Sequence, residues 1–140
     1  MSGVTIFVSH HPDRGGQFAW TVLSRTLAYS ASKIPEITDS VEAVDDAMKW
    51  GYNWDLGPFE TWDAIGFKAA YERMKADGVE PAAWVEEMLA SGQKSFYTHE
   101  KGDVFYYDVE KKKSVPLDEG EKVSDATELT LTRLTFSALV

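Results

Sequence analysis

The chain of 140 residues has no cysteine. That absence excludes disulfide scaffolds, thiolate zinc sites, iron–sulfur centres and a cysteine nucleophile. It has no Gly-x-Gly triplet either. The Rossmann fingerprint and the Walker loop are both missing, and with them the glycines that let a backbone approach a phosphate. A Gly-x-Ser-x-Gly nucleophile elbow is also absent. Basic charge is scarce: 14 Lys and Arg face 23 Asp and Glu, for a net charge of −9. Nucleic acid is itself densely negative, so it is a poor general partner for such a chain. Long apolar runs are lacking too. Val4-Thr5-Ile6-Phe7-Val8 is too short for the core of a signal peptide and far short of the ~20 apolar residues of a membrane span. These absences lead to the expectation of a soluble, cytoplasmic protein with no membrane span.

Aromatic residues, by contrast, are plentiful at 13%, and hydrophobic residues reach 44%. A chain of this size and composition can bury one real core. The acidic excess is local. Residues 41–92 carry eleven acidic and four basic groups, net −7, whereas residues 1–40 are balanced.

The opening apolar run reads as β-type. His11-Pro12-Asp13-Arg14-Gly15-Gly16, dense in turn formers, ends it. From Gln17 the period is helical. Trp20, Leu23, Leu27, Ala31 and Ile34 step by three or four, with Phe18 and Val22 widening the stripe, until Pro35. A second helix starts at Asp39 or Ser40, buries Val41, Val44 and Met48, and stops at Gly51. Pro58 opens a third, with Glu60 near its positive end and Phe59, Trp62 and Ile65 on one face. A fourth spans residues 67–77 and buries Phe67, Ala70, Tyr71 and Met74. A fifth opens at Pro81, buries Trp84, Val85, Met88 and Leu89, and stops at Gly92. Ser95-Phe96-Tyr97-Thr98 and Val104-Phe105-Tyr106-Tyr107 read as the strands of a hairpin around residues 99–103. Residues 110–121 read as solvated, and residues 128–140 fit a strand or a helix. The fold class expected is mainly α, about five helices with a C-terminal β-hairpin.

Candidate chemistry is sparse. His10, His11 and Asp13 lie close together, with His99 as the one other histidine. Adjacent side chains rarely converge on a metal, so a polar turn is the favoured reading and a metal site the lesser one. Glu42, Asp45, Asp46, Asp55, Glu60 and Asp63 could furnish a carboxylate pair. Adjacent Asp45 and Asp46 point about 100° apart on a helix, and the group reads mostly as a solvated face. Asp63 stands between Trp62 and Ile65 on a short apolar helix. A structural hydrogen bond to a backbone amide is the favoured role there, with acid–base chemistry by Asp63 or Glu60 as an alternative.

One segment is specific. Asp45-Asp46-Ala47-Met48-Lys49-Trp50-Gly51, followed by Gly57-Pro58-Phe59-Glu60-Thr61-Trp62-Asp63-Ala64-Ile65-Gly66, resembles the C-terminal helical domain of 3-hydroxyacyl-CoA dehydrogenases. The family's order is Asp-x-Ala-Met-x-x-Gly, then Gly-Pro-Phe-Glu, then Asp-x-x-Gly. Phe96-Tyr97 and Tyr106-Tyr107 stand where that domain ends, although the family's glycine there is missing. The resemblance implies a helical bundle of the kind also seen at the C-terminus of 6-phosphogluconate dehydrogenase. It implies three parts: an N-terminal extension over residues 1–14, the helical domain over 15–110, and a charged linker with an unassigned tail over 111–140.

The departures from the family pattern carry equal weight. A working copy follows a Rossmann domain that holds NAD and a catalytic His–Glu pair. Its first helix opens with an Asn-Arg pair, where this chain has Trp20 and Thr21. The sequence resembles a second, degenerate copy of the helical domain, as in proteins that fuse the dehydrogenase to an enoyl-CoA hydratase. The stretch from Trp50-Gly51-Tyr52-Asn53-Trp54 to Glu60 resembles that fused type in particular. The resemblance implies oxidation of a 3-hydroxyacyl-CoA with NAD as the parent reaction, in fatty-acid β-oxidation. No catalytic, cofactor-binding or metal-binding residue is expected in this chain, and no cofactor of its own. The partners implied are the Rossmann domain and first helical copy of the parent, or a second copy of this chain. The rival expectation is a free-standing protein-binding module unrelated to acyl-CoA.

Overall fold

A computed structural model describes residues 3–117 of the chain. The elements run α1 (Gly3–Ser9), α2 (Arg14–Ser32), α3 (Val41–Tyr52), α4 (Pro58–Ile65), α5 (Phe67–Ala76) and α6 (Ala83–Ala90), then β1 (Tyr97–Glu100), β2 (Asp103–Asp108) and β3 (Lys113–Pro116). The strands form one antiparallel sheet in the order β1-β2-β3. The mainly α architecture expected from the sequence is the one observed, with one more helix and one more strand among the described residues.

The additional helix is α1, where the β-branched run read as a strand. Local propensity is overridden here because the helix end is fully supplied with donors. Ser9 Oγ and His10 Nδ1 both reach the Ile6 carbonyl, at 2.7 and 2.8 Å. The backbone N–H groups of His10 and His11 donate to Phe7 and Val8. Arg73 Nη1 donates to the Ser9 carbonyl at 3.1 Å. Four carbonyls that an isolated helix end leaves unsatisfied are thus paired. The turn formers that close the run also begin α2 earlier than Gln17: Asp13 is its N-cap and accepts from Gly16 N at 2.7 Å. Gly16 is obligatory at this corner, because a Cβ there would collide with the His11 carbonyl.

The predicted stripe of α2 is buried throughout, from Trp20 to Ile34. Phe18 and Val22 do not widen it. They are 72% and 49% exposed, and Tyr29 is 64% exposed. At 100° per residue these three share the face of α2 opposite Leu27. The core itself gathers Leu23, Leu27, Val41, Met74, Val85 and Met88 around four aromatic rings. Phe96, from the segment leading into β1, lies 4.9 Å from Phe59, 5.2 Å from Trp62 and 4.8 Å from Phe67, centroid to centroid. These are tilted and edge-on contacts of the favourable kind. Trp62 is fully buried, and its indole N–H donates to the Phe67 carbonyl at 3.2 Å.

The hairpin turns on two residues only. Lys101 and Gly102 both have positive φ, at 54° and 94°, as a tight primed turn requires, so the strands extend further into the loop than the sequence suggested. β3 lies in the charged stretch read as solvated. It pairs with β2 from Phe105↔Pro116 to Asp108↔Lys113. Only Ser114 and Val115 are half-buried, between exposed Lys113 and Pro116, which explains why it carries no strong apolar signal.

Candidate functional site

The one deeply buried carboxylate of the helical part is Asp45. Its position on α3 follows from the helical period. Asp45 is four residues after Val41 and three before Met48, so it belongs to the inward stripe. The sequence reading grouped it with a solvated face; the structure overturns that for Asp45. The repeat that placed Val41 and Met48 inside also contained the signal for Asp45.

Its partners explain why an acid can sit there. Oδ1 accepts from Phe59 N at 2.8 Å, and Oδ2 accepts from Glu60 N at 3.0 Å and from the Tyr97 hydroxyl at 2.8 Å. Phe59 and Glu60 stand in the first turn of α4, whose N-terminal N–H groups have no partner within the helix. The N-cap of α4 is Gly57, which has no side chain to serve them. Asp45 supplies that cap from a neighbouring helix. Gly57 is what permits the approach, since a Cβ on it would overlap Asp45. Glu60 completes the end: its Oε2 accepts from Gly57 N at 2.8 Å, and its Oε1 meets Lys49 Nζ at 2.8 Å. Lys49 also lies 3.6 Å from Asp46.

Asp63 performs the corresponding task at the sheet. Its two oxygens accept from Phe96 N and Tyr97 N, each at 2.9 Å. This is the backbone bond expected of it. Tyr97 is thus held twice, by its N–H to α4 and by its hydroxyl to α3. The carboxylates of Asp45 and Asp63 fasten β1 to the helices, and they direct Phe96 into the core.

Burial shifts these acids. It pushes Asp45 up to about 7, against the opposing pull of the Phe59, Tyr97 and Glu60 hydrogen bonds. It pushes Asp63 up to about 6, against its two backbone donors. Burial, then the Asp45 charge, raises the Tyr97 phenol. Burial draws the Lys49 ammonium down, but the hydrogen bond and charge of Glu60 outweigh it and hold Lys49 above its usual value.

A groove of about 560 Å³ runs beside this cluster, lined by Leu56, Ala64 and Val104 together with Glu60, Asp63, Tyr97 and His99. A raised carboxyl in a groove can mark an acid–base centre. Here every oxygen of Asp63 and Glu60 already accepts from a named donor. The arrangement holds elements together, with each of these four oxygens engaged in a bond between elements or at a helix end. The other acids lie apart. Asp55 is exposed, and Glu42 accepts from Ser40 Oγ at 3.3 Å. His11 Nδ1 lies 3.4 Å from Asp13 on the surface, whereas His99, exposed on β1, lines the groove with Glu60 and Asp63. No group of three or more metal-ligating side chains occurs among the described residues.

At the start of α2, Trp20 is buried. Its Nε1 donates to Asp77 Oδ2 at 2.6 Å, and the Arg73 guanidinium lies 4.2 Å from its ring centroid. The indole is a packed and partnered core group.

A helical bundle closed by a small antiparallel sheet, with a glycine-capped α4 served by acids from α3 and from its own first turn, defines a structural domain class. The family model for the 3-hydroxyacyl-CoA dehydrogenase C-terminal domain matches residues 18–106, and the chain belongs to that family. It is similar to a "Probable 3-hydroxyacyl-CoA dehydrogenase" of Bacillus subtilis, 50% identical over 96 residues, which cover 69% of this chain and 12% of that protein. It is also similar to a "Putative fatty acid oxidation complex trifunctional enzyme" of Rickettsia felis, 40% identical over 45 residues, 32% of this chain and 6% of that protein. The chain therefore spans about an eighth of the length of the Bacillus relative and less of the other.

Proposed function

We propose that this chain serves as a helical domain of a fatty-acid β-oxidation 3-hydroxyacyl-CoA dehydrogenase, and that its own task is to build an interface. The parent reaction is the NAD-dependent oxidation of a 3-hydroxyacyl-CoA to a 3-ketoacyl-CoA, in the cytoplasm. The chain corresponds to a second, degenerate copy of the domain, with the Rossmann domain and first helical copy of the parent, or a second copy of itself, as partners.

Two features support a non-catalytic role. Trp20, which stands where the resemblance places the Asn of a working copy's Asn-Arg pair, is tied into the core by Asp77 and Arg73. The N-terminus of α4, the kind of helix end that takes a phosphate, already carries the Asp45 and Glu60 carboxylates.

The observation that carries the interface reading is the outward face of α2. Phe18, Val22 and Tyr29 lie along about three turns of the longest helix, exposed, on the side away from the core. Exposed apolar side chains gathered on one helix face, here with Arg25 among them, favour an association site. Sedimentation of the chain over a hundredfold range of concentration tests it. Self-association that Val22→Glu abolishes is the expected result. A monomer throughout, indifferent to the substitution, would end the interface reading for this face.

A further inference from the structure

A second polar cavity shares no lining residue with the carboxylate cluster. It measures about 480 Å³ and opens between α2 and the C-terminal end of α5. Two arginines line it, Arg25 from α2 and Arg73 from α5, together with Gln17. In a chain of net charge −9 such a meeting of cations needs a reason.

Arg73 is held in place before any ligand arrives. Its guanidinium stacks on Trp20, and its Nη1 donates to the Ser9 carbonyl at 3.1 Å. Trp20 is itself fixed by Asp77 at 2.6 Å. One hydrogen bond and one ring face leave most of the donors of a planar fork unused. Arg25 is exposed and has no hydrogen bond or ion pair among the described residues. A fixed guanidinium and a free one across a cavity form the two jaws of an anion clamp.

We propose that this cavity binds a small molecule through one oxyanion group, a phosphate or a carboxylate, gripped between Arg25 and Arg73. Asp77 narrows the class. It lines the same cavity and cancels one of the two positive charges. A polyphosphate or a nucleic-acid strand would meet too little compensation, whereas a single anionic group on an otherwise neutral molecule is matched. Arg25 lies among Phe18, Val22 and Tyr29 on the outward face, so the anion titration is run at a concentration where the chain sediments as a monomer, which separates this proposal from the interface on α2.

The test uses the full 140-residue chain, isotopically labelled, with the Trp20 indole N–H as the reporter. That proton lies in the Asp77 hydrogen bond at the cavity wall, and its resonance is assigned with Trp20→Phe. Inorganic phosphate and acetate are titrated separately at constant ionic strength, set with chloride, because exposed charge pairs respond to screening alone. The expected result is a saturable shift of the Trp20 signal with at least one anion, the tighter one naming the class. Arg25→Ala weakens it at least tenfold while the rest of the spectrum stays in place, because Arg25 supports no other contact. Arg73→Lys, which keeps the charge and loses the fork, also weakens it. Shifts that stay linear with both anions, or a saturation curve that Arg25→Ala leaves unchanged, would overturn the proposal.

Discussion

At Asp45 two strong effects oppose each other, and the pH dependence of stability decides between them. Three donors favour the ionised carboxylate, and burial favours the neutral acid. Burial wins, and the carboxyl moves from 3.8 to about 7. A group whose folded pKa is raised contributes stability that is complete below its unfolded pKa and is lost as pH rises through its folded pKa. The folded chain therefore holds the Asp45 proton between about pH 4 and 7 while the unfolded chain releases it. Between pH 5 and pH 8 that linkage amounts to about 3 kcal/mol. Asp63, raised to about 6, acts in the same direction over a narrower window. Asp13 and Asp108, both lowered, act in the opposite direction and do so below about pH 4. Urea unfolding followed by tryptophan fluorescence at pH 5, 6, 7 and 8, on the natural chain and on Asp45→Asn, isolates the Asp45 contribution. The natural chain should lose about 3 kcal/mol more than the variant across that range. Equal slopes, or a natural chain that gains stability as pH rises, would mean that the three donors outweigh burial and that the carboxylate is ionised in the fold.

Other substitutions test the remaining supports. Trp62→Ala removes a fully buried indole from between Phe67 and Phe96 and should cost about 3–5 kcal/mol by chemical denaturation; a loss under about 1 kcal/mol would contradict its place in the core. Gly57→Ala drives a Cβ into Asp45 and should cost about 3 kcal/mol or more, seen as a lower unfolding midpoint, whereas Gly51→Ala, where nothing lies within 4 Å, should change stability by less than about 1 kcal/mol. Asp63→Ala strips Phe96 N and Tyr97 N of their acceptor, so amide hydrogen exchange should speed up in β1 well before the helices respond.

Much of the fold is written in hydrophobic period. The stripe of α2, the Pro58 start of α4 and the burial of Phe59 and Trp62 all follow from spacing and end signals, because each is a local rule repeated over several turns. The failures share a different cause. α1 is helical although Val4, Thr5, Ile6 and Val8 favour a strand, because its end is completed by Arg73, sixty-four residues away along the chain from Ser9. β3 exists because β2 offers an edge, and its own residues announce nothing. Asp45 is the instructive case for the site. The period placed it inward, but its chemistry argued for the surface. What reconciles them is a helix N-terminus on another element with a side-chain-free N-cap, and that is legible only once Gly57 and Asp45 are known to touch. Asp63 shows the converse, since an acid on an apolar face does announce a buried partner, though not which one.

The central claim is that this domain supports chemistry performed elsewhere. The most direct measurement is made on the 140-residue chain alone: titration of NADH fluorescence, and reduction of acetoacetyl-CoA followed by NADH absorbance. The account predicts no saturable NADH binding and no turnover above buffer. Micromolar binding, or measurable turnover, would contradict it.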